Sequence, residues 1–333
     1  MIDRRRFLHD TAMAGAATVL GSVADAFAAE PPPETKRIRL PKVEVTCWAP
    51  AYVAGDLLKA EGFSEPMFID YGDSGKQYDA LAAGEIDIMM SFVAPSIQQI
   101  DAGKPLVLLG GVHPGCIELV AASDIRSVRD LKGRLVVATA PGAPGQLFVA
   151  AFVGHVGLDP LRDIKWAFHP QQKFAELLQA GKVDAFMTSP PFAQEARAKK
   201  IGHVIINSAT DRPWSQYFCC MLTTNREFLR KHPVATKRAM RAILKASNLC
   251  ASEPEAVARK LVRDGFAKES EFVLQGLREI PYGQWSTYDA EDTVRYYALR
   301  LKEGEFIKAT PKKIIADGTD WRFLDELKKE LKA

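Results

Sequence analysis

The stretch Ala140-Pro141-Gly142-Ala143-Pro144-Gly145 carries the clearest chemical signal in the chain. It follows an apolar, β-branched run and opens a helical pattern. Such a loop exposes backbone N–H groups, and the helix start adds partial positive charge. Gly142, Ala143 and Gly145 are therefore candidate contacts to a sulfonate, carboxylate or phosphate. Ser74-Gly75, ahead of Lys76, forms a similar helix start. Trp48 and Tyr52 follow a first strand and offer aromatic faces to a planar ring or a cation. Ser91 and Phe92 close one further strand, and Thr188 and Ser189 close another. In open α/β sheets, ligands bind beyond the carboxyl ends of strands, and that rule selects these residues together.

Other reactive types point away from catalysis. Asp87 and Asp184 sit at repeated positions, each after a helix stop, where a carboxylate accepts backbone N–H groups. The six histidines form no H-x-x-H or HExxH pattern, so spacing indicates no metal site. Cys219-Cys220 is a vicinal pair in an expected strand, where adjacent side chains point to opposite faces and a disulfide between them is disfavoured. Cys47, Cys116 and Cys250 read as buried small hydrophobes. Asp317-Gly318-Thr319-Asp320 lacks the spaced acidic ligands of a calcium loop. No cofactor is expected.

These residues need elements to hold them. Val43–Trp48 alternates at period two and reads as a strand, followed by a helix over Ala51–Ala60. Met67–Tyr71, Ile86–Phe92 and Leu106–Val112 read as strands, and Lys76–Ala83 as a helix stopped at Gly84. The order then restarts. Arg134–Thr139, Asp163–Phe168 and Val183–Thr188 are strands, and Gly145–Val156 and Lys173–Ala180 are helices. The stretch around Gly84-Glu85-Ile86-Asp87 recurs 97 residues later as Gly181-Lys182-Val183-Asp184, which implies two related lobes. Helical patterns dominate from Asn225 onward. Alternation of this kind argues for an α/β fold with a largely parallel sheet.

Composition sets the class. The chain has 333 residues, 47% hydrophobic and 26% charged, as a globular protein of about two domains does. Its net charge of +3 is too balanced for a dedicated nucleic-acid binder. Residues 1–28 read as an export signal. Arg4-Arg5-Arg6-Phe7-Leu8 looks like the twin-arginine pattern, an apolar stretch follows, and Ala26-Phe27-Ala28 is a small-x-small cleavage site. A soluble periplasmic protein, monomeric and without a lipid anchor, is the expectation.

The strings ALAAGEIDI and LLQAGKVDAF, with SVRDLKGRLVVATAPGAPG and TTNREFLRKHPVATKRAMRAILKAS, resemble type II periplasmic solute-binding proteins of ABC transporters. The resemblance extends over the mature chain and is nearest to the sulfonate, nitrate, taurine and thiamine-pyrimidine-precursor group. It implies two α/β lobes joined by two crossing strands, near His113–Val120 and Tyr217–Thr223. Lobe one would be 36–115 plus 222–333, with the helical C-terminal part packed on it. Lobe two would be 116–221. His113 at a crossing would bond ligand or a hinge carbonyl, and Trp214 and Tyr217 would stand near the cleft edge. The partners implied are a small-molecule ligand and a membrane permease with its ATPase. The alternatives are a pyrimidine-synthase-like enzyme on the same fold, or a ligand-binding sensory module.

Overall fold

The computed structural model describes residues 30–43, 45–71, 75–268 and 271–331. The expected leader at 1–28 and the candidate contact Ser74 lie outside the described residues. The elements follow in chain order: β1 (Arg37–Lys42), α1 (Ala49–Val53), α2 (Gly55–Ala60), β2 (Glu65–Asp70), α3 (Lys76–Ala82), β3 (Ile88–Phe92), α4 (Val93–Asp101), β4 (Leu106–Pro114) and β5 (Glu118–Ala121). Then come β6 (Leu135–Ala138), α5 (Pro144–His155), β7 (Lys165–Phe168), α6 (Phe174–Gln179), β8 (Ala185–Thr188), α7 (Phe192–Ala198), β9 (His203–Asn207) and β10 (Phe218–Asn225). The remainder is helical: α8 (Arg226–Lys231), α9 (Pro233–Ser252), α10 (Pro254–Arg263), α11 (Glu271–Glu279), α12 (Ala290–Glu303), α13 (Pro311–Gly318) and α14 (Arg322–Glu330).

The strands form a β1–β2 pair, a sheet of order β3-β10-β4, and a five-stranded sheet of order β7-β6-β8-β5-β9. The sheets are mixed rather than largely parallel. β1–β2, β6–β7 and β6–β8 are parallel, whereas β10 runs antiparallel to β3 and β4, and β5 to β8 and β9. The parallel expectation holds only where a helical crossover links the strands. β4 and β10 are not linked that way.

The strand expected over Val43–Trp48 is also displaced. The first strand is Arg37–Lys42, and Thr46–Trp48 is a single 3-10 turn. Tyr52 decides this. Its hydroxyl accepts from the Val43 N–H at 3.1 Å and donates to the Val43 carbonyl at 2.7 Å, using both ladder groups of that residue. The chain turns there instead of extending.

The internal repeat recurs in its helix-end bonding. The helices before Gly84 and Gly181 end alike, with Gly84 N–H on Leu81 O and Glu85 N–H on Ala80 O, and Gly181 N–H on Leu178 O and Lys182 N–H on Leu177 O. These are paired Schellman closures. Then Asp87 N–H bonds to Arg39 O and Asp184 N–H to Leu135 O, fastening each following strand to the first strand of its group.

A large apolar core runs through both strand groups, and a smaller one forms around Val120, Val137, Phe174 and Phe186. Helix α9 buries Ala235, Ala239, Ile243, Ala246 and Cys250 at helical spacing, and it packs on α1 and α2. Pro233 and Pro254 sit in the first turns of α9 and α10, where proline costs no hydrogen bond. No helix among the described residues is long and apolar enough to cross a membrane.

Candidate functional site

The carboxyl ends of the strands bring several of the selected residues together, and most of them are buried. Trp48 is 1% exposed and lies 6.2 Å from the Phe92 ring, centroid to centroid. Phe92 meets Phe148 edge-on at 5.9 Å, Phe148 lies 6.5 Å from Phe152, and Phe152 meets Trp214 at 5.1 Å. The result is a continuous aromatic seam from the turn after β1 to the turn before β10. Phe148 and Phe152, its middle members, escaped the sequence reading. They stand four apart on α5, whose apolar residues are continuous, so periodicity marks no special face there.

Some buried polar atoms of the described residues have no hydrogen-bond partner. Trp48 Nε1 and Trp214 Nε1 are donors of this kind, Thr188 Oγ1 is a hydroxyl, and Gln77 Oε1 at the start of α3 is an acceptor. An unpaired buried polar group is costly, so each calls for an explanation.

The other selected residues divide. The Ser91 hydroxyl lies 2.5 Å from Thr223 Oγ1 and accepts from Ser96 at 2.8 Å, so it ties β3 to β10 inside the core. The Tyr52 hydroxyl is committed to Val43, and its ring stacks on Phe266 at 4.6 Å. Tyr217 stacks on Tyr296 at 4.1 Å. Gly75 is exposed at the start of α3, and Ser189 is buried beyond β8. Gly142, Ala143 and Gly145 are half-buried. Part of that loop's donor set is used internally. Gly142 N–H donates to Gln146 Oε1 at 2.8 Å and Ala143 N–H to Ala140 O at 3.1 Å, while Pro144 has no N–H.

A cavity of about 310 Å³ is lined by Thr46, Pro191, Phe192, Glu195, Phe266 and Lys268 among others. That volume lies at the lower end of small-molecule sites, about 300–1,000 Å³. Its walls come from the turn after β1, the start of α7 and the segment after α10. Thr46 N–H bonds to the Pro190 carbonyl at 3.3 Å. A neighbouring cavity of about 280 Å³ shares Phe192 and Glu195 and reaches Thr188. Arg197 stands two residues beyond Glu195 on α7. It bonds Glu118 on β5 and, at 2.6 Å, Glu279 on α11. Burial pushes the Glu279 carboxyl up, but the bonds from Arg197, Gln194 and Gln275 outweigh it and hold the carboxyl below its usual range. Glu118, more deeply buried, is pushed up despite Arg197.

Beside the Thr46 turn lies a cluster that spacing alone did not reveal. Cys47, His113, Cys116 and Cys220 are all buried, with their ligand atoms within 4.8 Å of one another. Cys219 joins them, 2.8 Å from Cys116 and 3.8 Å from Cys220, sulfur to sulfur. The vicinal pair thus does not split across the sheet. Register shifts between Phe218 and Met221 mark a bulge in β10 that turns both side chains the same way. All five cysteines are free thiols. Burial raises each thiol of the cluster. Hydrogen bonds from neighbouring thiols, with His113 nearby, still bring Cys47 well below its ordinary value and Cys219 to about 6. Cys116 and Cys220 are pushed well up.

This architecture is the periplasmic-binding-protein fold. It matches the nitrate-binding protein NrtA of Synechocystis PCC 6803 with a TM-score of 0.73 at 15% identity, over 90% of each chain. It matches the alkanesulfonate-binding protein SsuA of Xanthomonas axonopodis pv. citri, bound to MOPS, with a TM-score of 0.66 at 17% identity, over 85% of this chain and 96% of that one. A DszB mutant in complex with biphenyl-2-sulfinic acid is also similar, with a TM-score of 0.60 at 15% identity, over 88% of this chain and 99% of that one. No curated protein matches the chain by sequence. The chain belongs to the NMT1-like family, whose model matches residues 31–263.

Proposed function

We propose that this protein is the periplasmic solute-binding component of an ABC importer, and that it captures a small organic anion with an apolar or heteroaromatic body. The observation that carries this reading is the set of buried polar atoms without partners at strand ends: Trp48 Nε1 after β1, Gln77 Oε1 at the start of α3, and Thr188 Oγ1 at the end of β8. The Trp48 and Thr188 groups can donate to an anion, whereas the Gln77 oxygen calls for a donor on the ligand body. The 310 Å³ cavity, with three phenylalanines (Phe192, Phe266 and Phe272), the Thr46 hydroxyl and the Lys268 ammonium, suits an organosulfonate better than a bare inorganic ion. The NrtA and SsuA neighbours bind nitrate and alkanesulfonate respectively, which supports an anion.

In this reading, 36–115 with 222–333 form one lobe and 116–221 the other. β4 and β10 carry the chain between them. Closure brings α7 against α11 through Arg197 and Glu279, and ligand favours the closed state because only there does it touch both lobes. A permease with its ATPase receives the closed form. Export by a twin-arginine-type signal would deliver the mature chain to the periplasm, where it would act as a monomer. A cysteine nucleophile is disfavoured, since every thiol is buried.

The test is a thermal-shift panel on residues 29–333. It holds alkyl- and arylsulfonates, taurine, carboxylates, nitrate and thiamine-pyrimidine precursors. A ligand that binds only the folded state adds about 2.7 kcal/mol of stability at a hundredfold excess over Kd. A saturable rise in Tm with the sulfonates is the expected outcome. No shift with any anion, after denaturation and refolding to remove carried-over solute, overturns the reading.

A further inference from the structure

We propose that Cys47, His113, Cys116 and Cys220 form a zinc site. They arrive from three separated segments: the turn after β1, the end of β4, and β10. Their four ligand atoms lie within 4.8 Å of one another. A tetrahedral zinc, with bonds of about 2.3 Å to sulfur and about 2.0 Å to nitrogen, sets its ligand atoms roughly 3.4–3.8 Å apart. Closing this set on zinc asks for ångström-scale movement of the thiols and for His113 to release one of its two carbonyl contacts.

His113 supplies an independent observation. Its Nε2 lies 2.9 Å from the Cys47 carbonyl oxygen and its Nδ1 3.1 Å from the Pro114 carbonyl oxygen. Zinc binding exchanges one of these two carbonyl contacts for the metal. The other nitrogen keeps its N–H on a carbonyl, as metal-bound histidines do.

The surroundings hold the set in place. The Tyr282 ring meets His113 edge-on at 5.1 Å, and its hydroxyl donates to the Thr46 carbonyl at 3.0 Å, pinning the turn that carries Cys47. Ser247 on α9 donates to the Tyr282 carbonyl at 2.8 Å. Between the two ligands of the β4 end, Gly115 has φ +46°, and a Cβ there would lie 2.3 Å from the Ala209 Cα, so the turn admits only glycine.

The donor set selects the ion. Three sulfurs and one imidazole favour a soft or borderline cation and exclude magnesium or calcium. A buried, four-ligand set without an open position is the structural zinc pattern. Binding displaces three thiol protons to solvent, and the filled site carries one net negative charge. Zinc there ties the turn after β1 to both β4 and β10. The competing fate of these sulfurs, where a two-electron thiol oxidant such as dioxygen or a small-molecule disulfide takes up the electrons and both protons leave, is a Cys116–Cys219 disulfide, which removes one ligand from the set.

The full chain, reduced and stripped with a chelator, is titrated with zinc chloride and passed through gel filtration, and retained metal is counted by mass spectrometry. Cobalt(II) serves as a spectroscopic probe. The expected result is one zinc per chain, with the thiolate-to-cobalt charge-transfer and tetrahedral bands of a sulfur-rich site. Cys47→Ser and His113→Gln each weaken zinc retention at least tenfold. Cys250→Ser, outside the cluster, keeps full stoichiometry. Circular dichroism accompanies each variant, and where one fails to fold the cobalt spectrum of the unaltered chain decides. Folded chain that retains no metal and shows five thiols once denatured overturns the proposal. So does folded chain that retains no metal and shows three thiols once denatured, which marks the disulfide. Undiminished zinc in both folded ligand variants overturns it as well. No organic solute is present, so failure here leaves the solute-binding reading intact.

Discussion

Asp87 grips Arg39 through both backbone and side chain. Its Oδ2 accepts from the Arg39 backbone N–H at 2.7 Å and from Nε at 3.1 Å, and its Oδ1 accepts from Nη2 at 2.6 Å. Asp184, its counterpart in the repeat, accepts from the Leu135 N–H at 2.7 Å, but its contact to Arg134 is long, at 3.4 Å. The Asp87 side chain is 4% exposed and that of Asp184 is 30%. Removing one partner of a buried charge pair costs about 3–5 kcal/mol, and a more exposed one much less. Asp87→Ala should therefore lower unfolding free energy by about 3 kcal/mol, and Asp184→Ala by about 1 kcal/mol. Urea midpoints measure both, and equal losses would remove the asymmetry.

Trp48 separates packing from recognition. Truncation to alanine deletes a fully buried ring and should cost about 3–5 kcal/mol of stability. Trp48→Phe keeps most of the volume but removes the unpaired Nε1 donor together with part of the fused ring. Its stability should stay within about 1.5 kcal/mol of the parent. Affinity for the solute should fall by about 2–12-fold, the worth of one hydrogen bond. Calorimetric titration of the phenylalanine variant makes the comparison, and unchanged affinity would take Trp48 out of the site.

Gly145 tests the anion at the start of α5. A Cβ there would sit 3.7 Å from the Ala138 Cβ, an ordinary contact, so a side chain is accommodated. Gly145→Asp places negative charge in the first turn, which favours the helix by about 0.3–1 kcal/mol. The fold should persist while affinity for an anionic solute drops at least tenfold. Affinity that does not change would mean the anion lies elsewhere.

Glu279 gives the pH dependence its sign. Its folded-state carboxyl lies below the ordinary range, so its contribution is present above about pH 4.3 and is lost as pH falls through the lowered value. Glu118 works the other way: its raised carboxyl favours the fold at low pH and loses that contribution as pH rises. Unfolding followed from pH 7 to pH 3 should therefore show a shallower acid loss in Glu279→Gln than in the parent. A parallel acid limb would remove Arg197–Glu279 as an acid-sensitive tie between α7 and α11.

The sequence by itself determined the local framework. Hydrophobic periodicity and glycine stops located α3, β3, α5 and β8 to within a few residues, and the repeated Gly-x-[Ile/Val]-Asp identified paired strand junctions whose hydrogen bonds match. Those features depend on neighbours a few residues apart. Strand direction was not legible, because the antiparallel return of β10 between β3 and β4 involves partners more than 100 residues away.

Only the tertiary structure decided the environment of each functional side chain. Tyr52 became a clamp on Val43, because two bonds to one residue end a strand that alternation alone would extend. Phe148 and Phe152 became the middle of an aromatic seam, because α5 packs between strand ends that are distant in sequence. Cys219 and Cys220 came to one side because a bulge cancels the strand's two-residue alternation. Cys47, His113, Cys116 and Cys220 meet because β4 and β10 pair beside the Thr46 turn, and no spacing along the chain encodes that distance.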